Sequence, residues 1–301
     1  MTTAIRPVAL VACLAAIVTN VPVHSQQPAA LVAPRHTSQL DLDWLDAVVS
    51  VEREVTDPRS KATTWLPVGT GFLIQTNAKR VALVTAKHVA ALADGGPLKP
   101  RLGYRLSGKN KDALITDEWL KTQGAGEWVA SSDEDVALRL FVAAPEIVLT
   151  SIPESAFINT DTLEPGAPLV VLGFPQGLRS DTLSRTIARR GMLAGLEHGR
   201  FIIDAFVFPG TSGGPVIYLP AFQMESAILA EESPLIGEEK LIGVVVDYIP
   251  YTDIAISPQT QHTRVTFEEN SGLAHVVSID AVRALLQAPA FVSRDGVPKQ
   301  P

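Results

Sequence analysis

Short apolar runs separated by polar, glycine- or proline-containing breaks recur along the chain, and most are too short for a helix. Val48-Val49-Ser50-Val51 opens the series. Val68-Gly69-Thr70-Gly71-Phe72-Leu73-Ile74 and Val81-Ala82-Leu83-Val84-Thr85 follow, joined by the polar turn Asn77-Ala78-Lys79-Arg80, which together predict a hairpin. Further strand-like runs lie at Arg101 to Leu106, Ala113 to Thr116, Trp128 to Ala130 and Val136 to Val142. After a break at Glu164-Pro165-Gly166 come Leu169 to Leu172, Arg185 to Ala194, Phe201 to Val207, Val216 to Leu219 and Leu241 to Tyr248. Strands at this spacing with turn signals between them predict an all-β barrel or sandwich. Only one segment has a clear helical period: Ser278 caps Ile279 to Leu286, where Ile279, Val282, Leu285 and Leu286 share a face and Pro289 stops the run. Two connections exceed what a hairpin needs, Pro220 to Lys240 and Pro250 to Gly272, and are expected to be long loops.

The ends differ from this pattern. In residues 1–25, Arg6 is the only charge, Val8 to Val21 is largely apolar, and Val23-His24-Ser25 offers small residues for cleavage. This is the layout of a secretory signal peptide; its apolar run of roughly 14 residues is shorter than the ~20 needed to span a bilayer. The only cysteine, Cys13, lies within it, so the mature chain would hold no disulfide, and export to a bacterial periplasm or medium is expected. Lipid attachment at Cys13 is a minor alternative. Residues 26–41, rich in Gln, Pro and Ala, read as a linker, and residues 289–301 as a tail.

Composition narrows the function classes. The 301 residues are 46% hydrophobic and 19% charged, as in an ordinary globular protein. A net charge of -7 without a basic block argues against nucleic acid as partner. No metal-binding helix motif or phosphate-cradling loop is present, so no metal or cofactor is expected, and no stable membrane insertion once the signal is removed.

The chemistry gathers around Phe208-Pro209-Gly210-Thr211-Ser212-Gly213-Gly214-Pro215. One serine among glycines suits an exposed nucleophile, because glycine permits the backbone turn that aims N–H groups at an oxyanion. Of the six histidines, His88 comes directly off an apolar strand, where a side chain can be held rigidly. Asp135, beside Asp133 and Glu134, is the acid nearest an apolar run and suits the carboxylate that orients an imidazole.

Thr85-Ala86-Lys87-His88, Asp135-Val136-Ala137-Leu138 and Gly210-Thr211-Ser212-Gly213-Gly214 resemble the three signature segments of trypsin-like serine proteases, with the bacterial Deg/HtrA-like branch the nearest in pattern. Val68-Gly69-Thr70-Gly71-Phe72 and Leu172-Gly173-Phe174-Pro175-Gln176-Gly177 resemble supporting segments of that branch. The resemblance implies two packed six-stranded antiparallel β-barrels over residues 42–288, the first about 42–150 and the second about 165–288. It implies His88 as general base, Asp135 as its orienter and Ser212 as nucleophile. Gly210 and Ser212 N–H groups would form the oxyanion hole, and Phe206 the floor of a pocket for an apolar residue before the cut. The substrate class would be protein or peptide. Thr211 stands where animal trypsins carry an aspartate, which excludes their activation by a freed N-terminus, and Lys87 is expected to face solvent. No counterpart of the PDZ domain usual in that branch is expected after the helix.

Two other readings compete. Gly210-Thr211-Ser212-Gly213-Gly214 also satisfies the G-x-S-x-G pattern of α/β-hydrolases, with Asp247 and His275 in the required order, although Gly213-Gly214-Pro215 is a poor helix start. The other is a catalytically silent trypsin fold that binds peptides.

Overall fold

In a computed structural model, residues 40–94, 101–197, 199–220 and 238–296 are described. The expected signal peptide with Cys13, nearly all of the expected linker and most of the segment from Pro220 to Lys240 lie outside them.

The first sheet contains β1 (Val48–Thr56), β2 (Thr63–Gln75), β3 (Val81–Thr85), β4 (Leu102–Arg105), β5 (Leu114–Thr116), β6 (Val129–Ala130) and β7 (Ala137–Leu140). They pair antiparallel in the order β5-β4-β1-β2-β3-β7-β6. The second sheet contains β8 (Pro168–Gly173), β9 (Ile187–Glu197), β10 (Arg200–Asp204), β11 (Pro215–Tyr218), β12 (Lys240–Ile256) and β13 (Thr263–Ser278), and closes into a barrel in the order β10-β13-β12-β11-β8-β9. The fold class is therefore the expected all-β pair of antiparallel units. The six-strand count holds for the second; the first has seven because the very short β5 and β6 both pair as edges.

Apolar positions explain the pairing. Phe72, Leu73 and Ile74 of β2, Leu83 and Val84 of β3, and Leu138 and Leu140 of β7 are fully or almost fully buried, as are Val170 to Leu172 of β8 and Val244 and Val245 of β12. These belong to one continuous core, which leaves the strand ends to carry the polar residues.

Among the described residues there are five short α-helices: α1 (Leu42–Asp46), α2 (Lys87–Ala90), α3 (Asp117–Thr122), α4 (Ile279–Gln287) and α5 (Pro289–Asp295). In α4 the Ser278 Oγ accepts the Asp280 N–H, and Ile279, Val282, Leu285 and Leu286 are buried, as their spacing predicts. Pro289 ends α4 and also starts α5, so the expected tail begins as a packed helix with Phe291 almost wholly buried.

The segment from Pro250 to Gly272 is not a loop. β12 and β13 continue past the barrel as a paired ribbon, Tyr251↔Glu269 through Ile256↔Thr263. Pro250 does not end the strand because it sits beside a β-bulge between Tyr248 and Pro250, a place where a strand tolerates a residue without an N–H.

Candidate active site

His88 lies in α2, the single turn that follows β3, and Val89 and Ala90 of that turn are buried. This turn places the imidazole opposite Asp135, one residue before the buried Val136. The two are held at two points. His88 Nδ1 is 2.7 Å from Asp135 Oδ2, and the His88 backbone N–H donates to Asp135 Oδ1 at 2.9 Å. Both contacts fix the ring, and the carboxylate selects the tautomer that carries its proton on Nδ1, leaving Nε2 as the base.

The same contacts set the protonation of the pair. The Asp135 hydrogen bond raises the His88 pKa; burial opposes this, and the charges of Asp135 and Asp247 add to the rise. Burial pushes Asp135 up, but the bonds from the His88 ring and backbone outweigh it and hold the carboxyl below its ordinary range.

Lys87 does not face solvent freely. It is half-buried, and its ammonium donates to the Ser131 carbonyl at 2.7 Å.

Ser212 sits in the turn between β10 and β11, half-buried, and its carbonyl accepts the Thr70 N–H at 2.8 Å. The peptide groups around it are pinned in alternation. Gln176 N–H donates to the Pro209 carbonyl at 2.7 Å, and Gly214 N–H donates to the Thr211 carbonyl at 2.9 Å. In a trans peptide the N–H points opposite the C=O, so these two bonds aim the Gly210 and Ser212 N–H groups the other way. Thr211, Gly213 and Gly214 N–H all donate to backbone carbonyls, whereas Gly210 and Ser212 N–H donate to none among the described residues. Two N–H donors left without an acceptor beside a serine are what an oxyanion requires.

Two glycines are obligatory here. Gly210 has φ +97° and Gly213 +86°. A Cβ on Gly210 would strike the Phe174 carbonyl, and one on Gly213 would strike the Thr70 carbonyl and the Thr85 hydroxyl.

Thr70, within a segment quoted above only as a supporting resemblance, holds this turn to the first sheet. Its buried Oγ1 donates to the Gly210 carbonyl at 2.6 Å and accepts the Phe174 N–H at 3.1 Å, while its carbonyl accepts the Thr85 hydroxyl at 2.6 Å. The signal for it was the position of a hydroxyl residue between Gly69 and Gly71. Ser212 Oγ makes no hydrogen bond to His88 among the described residues; such contacts are often long in a free enzyme and tighten with substrate.

Phe206 is 51% exposed, stacked on Phe208 with ring centroids 6.4 Å apart, and it lies beside Gly272. It forms an apolar ledge just before the Gly210 turn.

Asp247 and His275 do come together, on adjacent strands β12 and β13, with His275 Nδ1 2.7 Å from Asp247 Oδ1. They do not belong to an α/β-hydrolase. The serine turn leads into β11 and not into a helix, and the sheets are antiparallel throughout the named strand pairs.

The profile of the trypsin-like peptidase domain matches residues 69–219, a span that runs from β2 to the end of the serine strand. No curated protein matches the chain. Among solved structures, an HtrA-type protease, AlgW, with a tripeptide is similar at 15% identity and a TM-score of 0.45, over 81% of this chain and 60% of that one.

Proposed function

The chain belongs to the trypsin-like peptidase family, and from that premise we propose that it is a serine endopeptidase that works through an acyl-enzyme on Ser212. His88 Nε2 takes the proton of Ser212 Oγ as the oxygen attacks the substrate carbonyl, and later gives it to the leaving amine. Asp135 holds the ring and stabilises the imidazolium. The carbonyl oxygen, now carrying the developing negative charge, is received by the N–H groups of Gly210 and Ser212. Water then attacks the acyl-enzyme by the same base, so product release occurs in two steps.

The observation that carries this reading is the pair of free, pinned N–H donors flanking Thr211, set in the turn that holds Ser212. A flexible Gly-Ser linker has no reason to keep both carbonyls tied and both N–H groups open. The Phe206 ledge supports a preference for an apolar residue before the cut, and export from the cell goes with the signal-like leader.

Labelling with a fluorophosphonate tests the assignment. Wild type should label at neutral pH, and Ser212→Ala and His88→Ala should not, while His275→Ala keeps its label. A wild type that takes no label would instead favour a trypsin fold that binds peptides without cleaving them.

A further inference from the structure

β12 passes directly behind the serine turn. Val245 N–H donates to the Gly214 carbonyl at 2.9 Å, and the Val245 carbonyl accepts the Gly213 N–H at 2.8 Å. β11 pairs with β12 only as far as Val244. Beyond Val245, the edge of β12 that faced β11 has no backbone partner among the described residues, whereas the other edge continues against β13. An open strand edge that begins beside the nucleophile is a place where an extended peptide can add by backbone pairing. Asp247 stands on this stretch, two residues past Val245.

The charges near His88 are unevenly matched. Asp135 has His88, and Glu134 has Arg200, whose Nε lies 2.8 Å from Glu134 Oε2. Asp247 has His275 on one oxygen, an imidazole rather than a permanent cation, and no ion pair with Lys or Arg among the described residues. Its side chain is 58% exposed, and its second oxygen has no hydrogen-bond partner there. Asp247 is also among the charges that act on His88 and on Arg200. The result is an oriented, partly exposed carboxylate, held by His275 through one oxygen and lying two residues past the Val245 peptide that backs the serine turn.

We propose that Asp247, positioned by His275, selects substrates with a lysine or arginine side chain a few residues before the scissile bond. This rests on the reading of Ser212 as nucleophile and adds a second determinant to the apolar preference assigned to Phe206. The cation would sit against the free Asp247 oxygen while the substrate backbone pairs with the edge of β12. The gain is that of a partly exposed ion pair, so it should weaken with salt.

The test uses the full chain and fluorogenic peptides that differ at one position upstream of the cut, with lysine, glutamine or glutamate there. In wild type, kcat/KM for the lysine peptide should exceed that for the glutamine peptide by about fivefold at low salt, with glutamate lowest. In Asp247→Asn the lysine-to-glutamine ratio should fall to about one. In Asp247→Lys the order should reverse toward glutamate. The ratio within each protein is the readout, so a general loss of activity in a variant does not enter it. If the glutamine peptide is cleaved but lysine gives no advantage, or if Asp247→Asn keeps the advantage, this proposal falls and the serine reading stands. If no peptide is cleaved, the serine reading falls, and binding decides the present one: titrating the same peptides into Ser212→Ala protein should still give the lysine peptide the lower Kd, and equal affinities would overturn it.

Discussion

At the scale of single residues, the site depends on hydrogen bonds that fix backbone direction as much as on the three side chains that motifs reveal. Thr70 is the clearest case. Replacing it by valine keeps the shape but leaves the Gly210 carbonyl and the Phe174 N–H without their buried partner, at a cost of about 1–3 kcal/mol for each such group. The Gly210 turn would loosen and its donor would swing from the position an oxyanion takes. Thr70→Val should therefore lower kcat roughly tenfold with little change in KM, since one misplaced hole donor costs on the order of 100-fold when lost outright. A variant that melts earlier but turns over normally would assign Thr70 a structural role alone. The pH dependence follows from His88. Catalysis needs the neutral imidazole, and Asp135 raises the His88 pKa above its ordinary value of ~6.5. Activity should thus be lost as pH falls through a midpoint above that value, and Asp135→Asn should move the midpoint down as well as lower the rate. The stability effect of the same bond has the opposite sense. A raised folded-state pKa gives stabilisation present at pH below ~6.5 and lost as pH rises through the folded value. A flat kcat/KM profile down to pH 4 would remove His88 from the mechanism.

At the scale of elements, the apolar runs marked the strands well where both faces are buried. β3, β8 and the first half of β12 are apolar along their length, and their bounds fall within a few residues of the sequence reading. The ribbon of β12 and β13 beyond the barrel was illegible for a physical reason. Its residues are exposed on both faces, Tyr251, Ile254 and Phe267 included, so no alternation of buried and exposed positions marks them. α5 was missed because Pro289 reads as a stop, when here it occupies the first turn of a new helix. α5 is tied to the first sheet: Asp295 accepts from the Thr76 hydroxyl at 2.8 Å and from the Ala78 N–H, and the Arg80 guanidinium donates to the Arg294 carbonyl at 2.8 Å. Ending the chain after Ala288 removes these bonds and the buried Phe291 ring. Denaturant titration should find that chain at least about 3–5 kcal/mol less stable than the full one, the usual cost of emptying a buried phenylalanine site. Equal stability would mean that α5 adds nothing to the fold. Within the candidate site, His88, Asp135, Ser212 and Gly210 could be picked out because each lies in a short motif with its own local geometry. Thr70 and the Asp247–His275 pair act through neighbours distant in sequence, and one chain alone does not show which strands lie side by side.

At the scale of the whole molecule, the two sheets divide the work. The first sheet presents His88 and Asp135 from the ends of β3 and β7, and the closed barrel presents the Ser212 turn. Their alignment rests on contacts across the boundary. Besides Thr70, the buried Glu52 of β1 accepts a two-point bond from Arg105 and a 2.6 Å bond from Arg179, which extends from the loop after β8. Arg179 also lies over the Phe174 ring, and Phe174 belongs to the same loop as Gln176, the residue that pins the Pro209 carbonyl. A chain of contacts thus runs from the first sheet, through the Phe174 to Arg179 loop, to the donors beside Ser212. The claim that this alignment creates a nucleophile is tested most directly by mixing wild-type protein with an activated peptide ester under stopped flow, followed by intact-mass analysis of the quenched protein. A burst of about one equivalent of leaving group per protein is expected, with the acyl adduct mapped to the peptide that contains Ser212. Release without a burst would not distinguish slow acylation from no acylation, so the adduct decides: an acyl group found on another residue, or no adduct at Ser212 under any quench, would contradict the account.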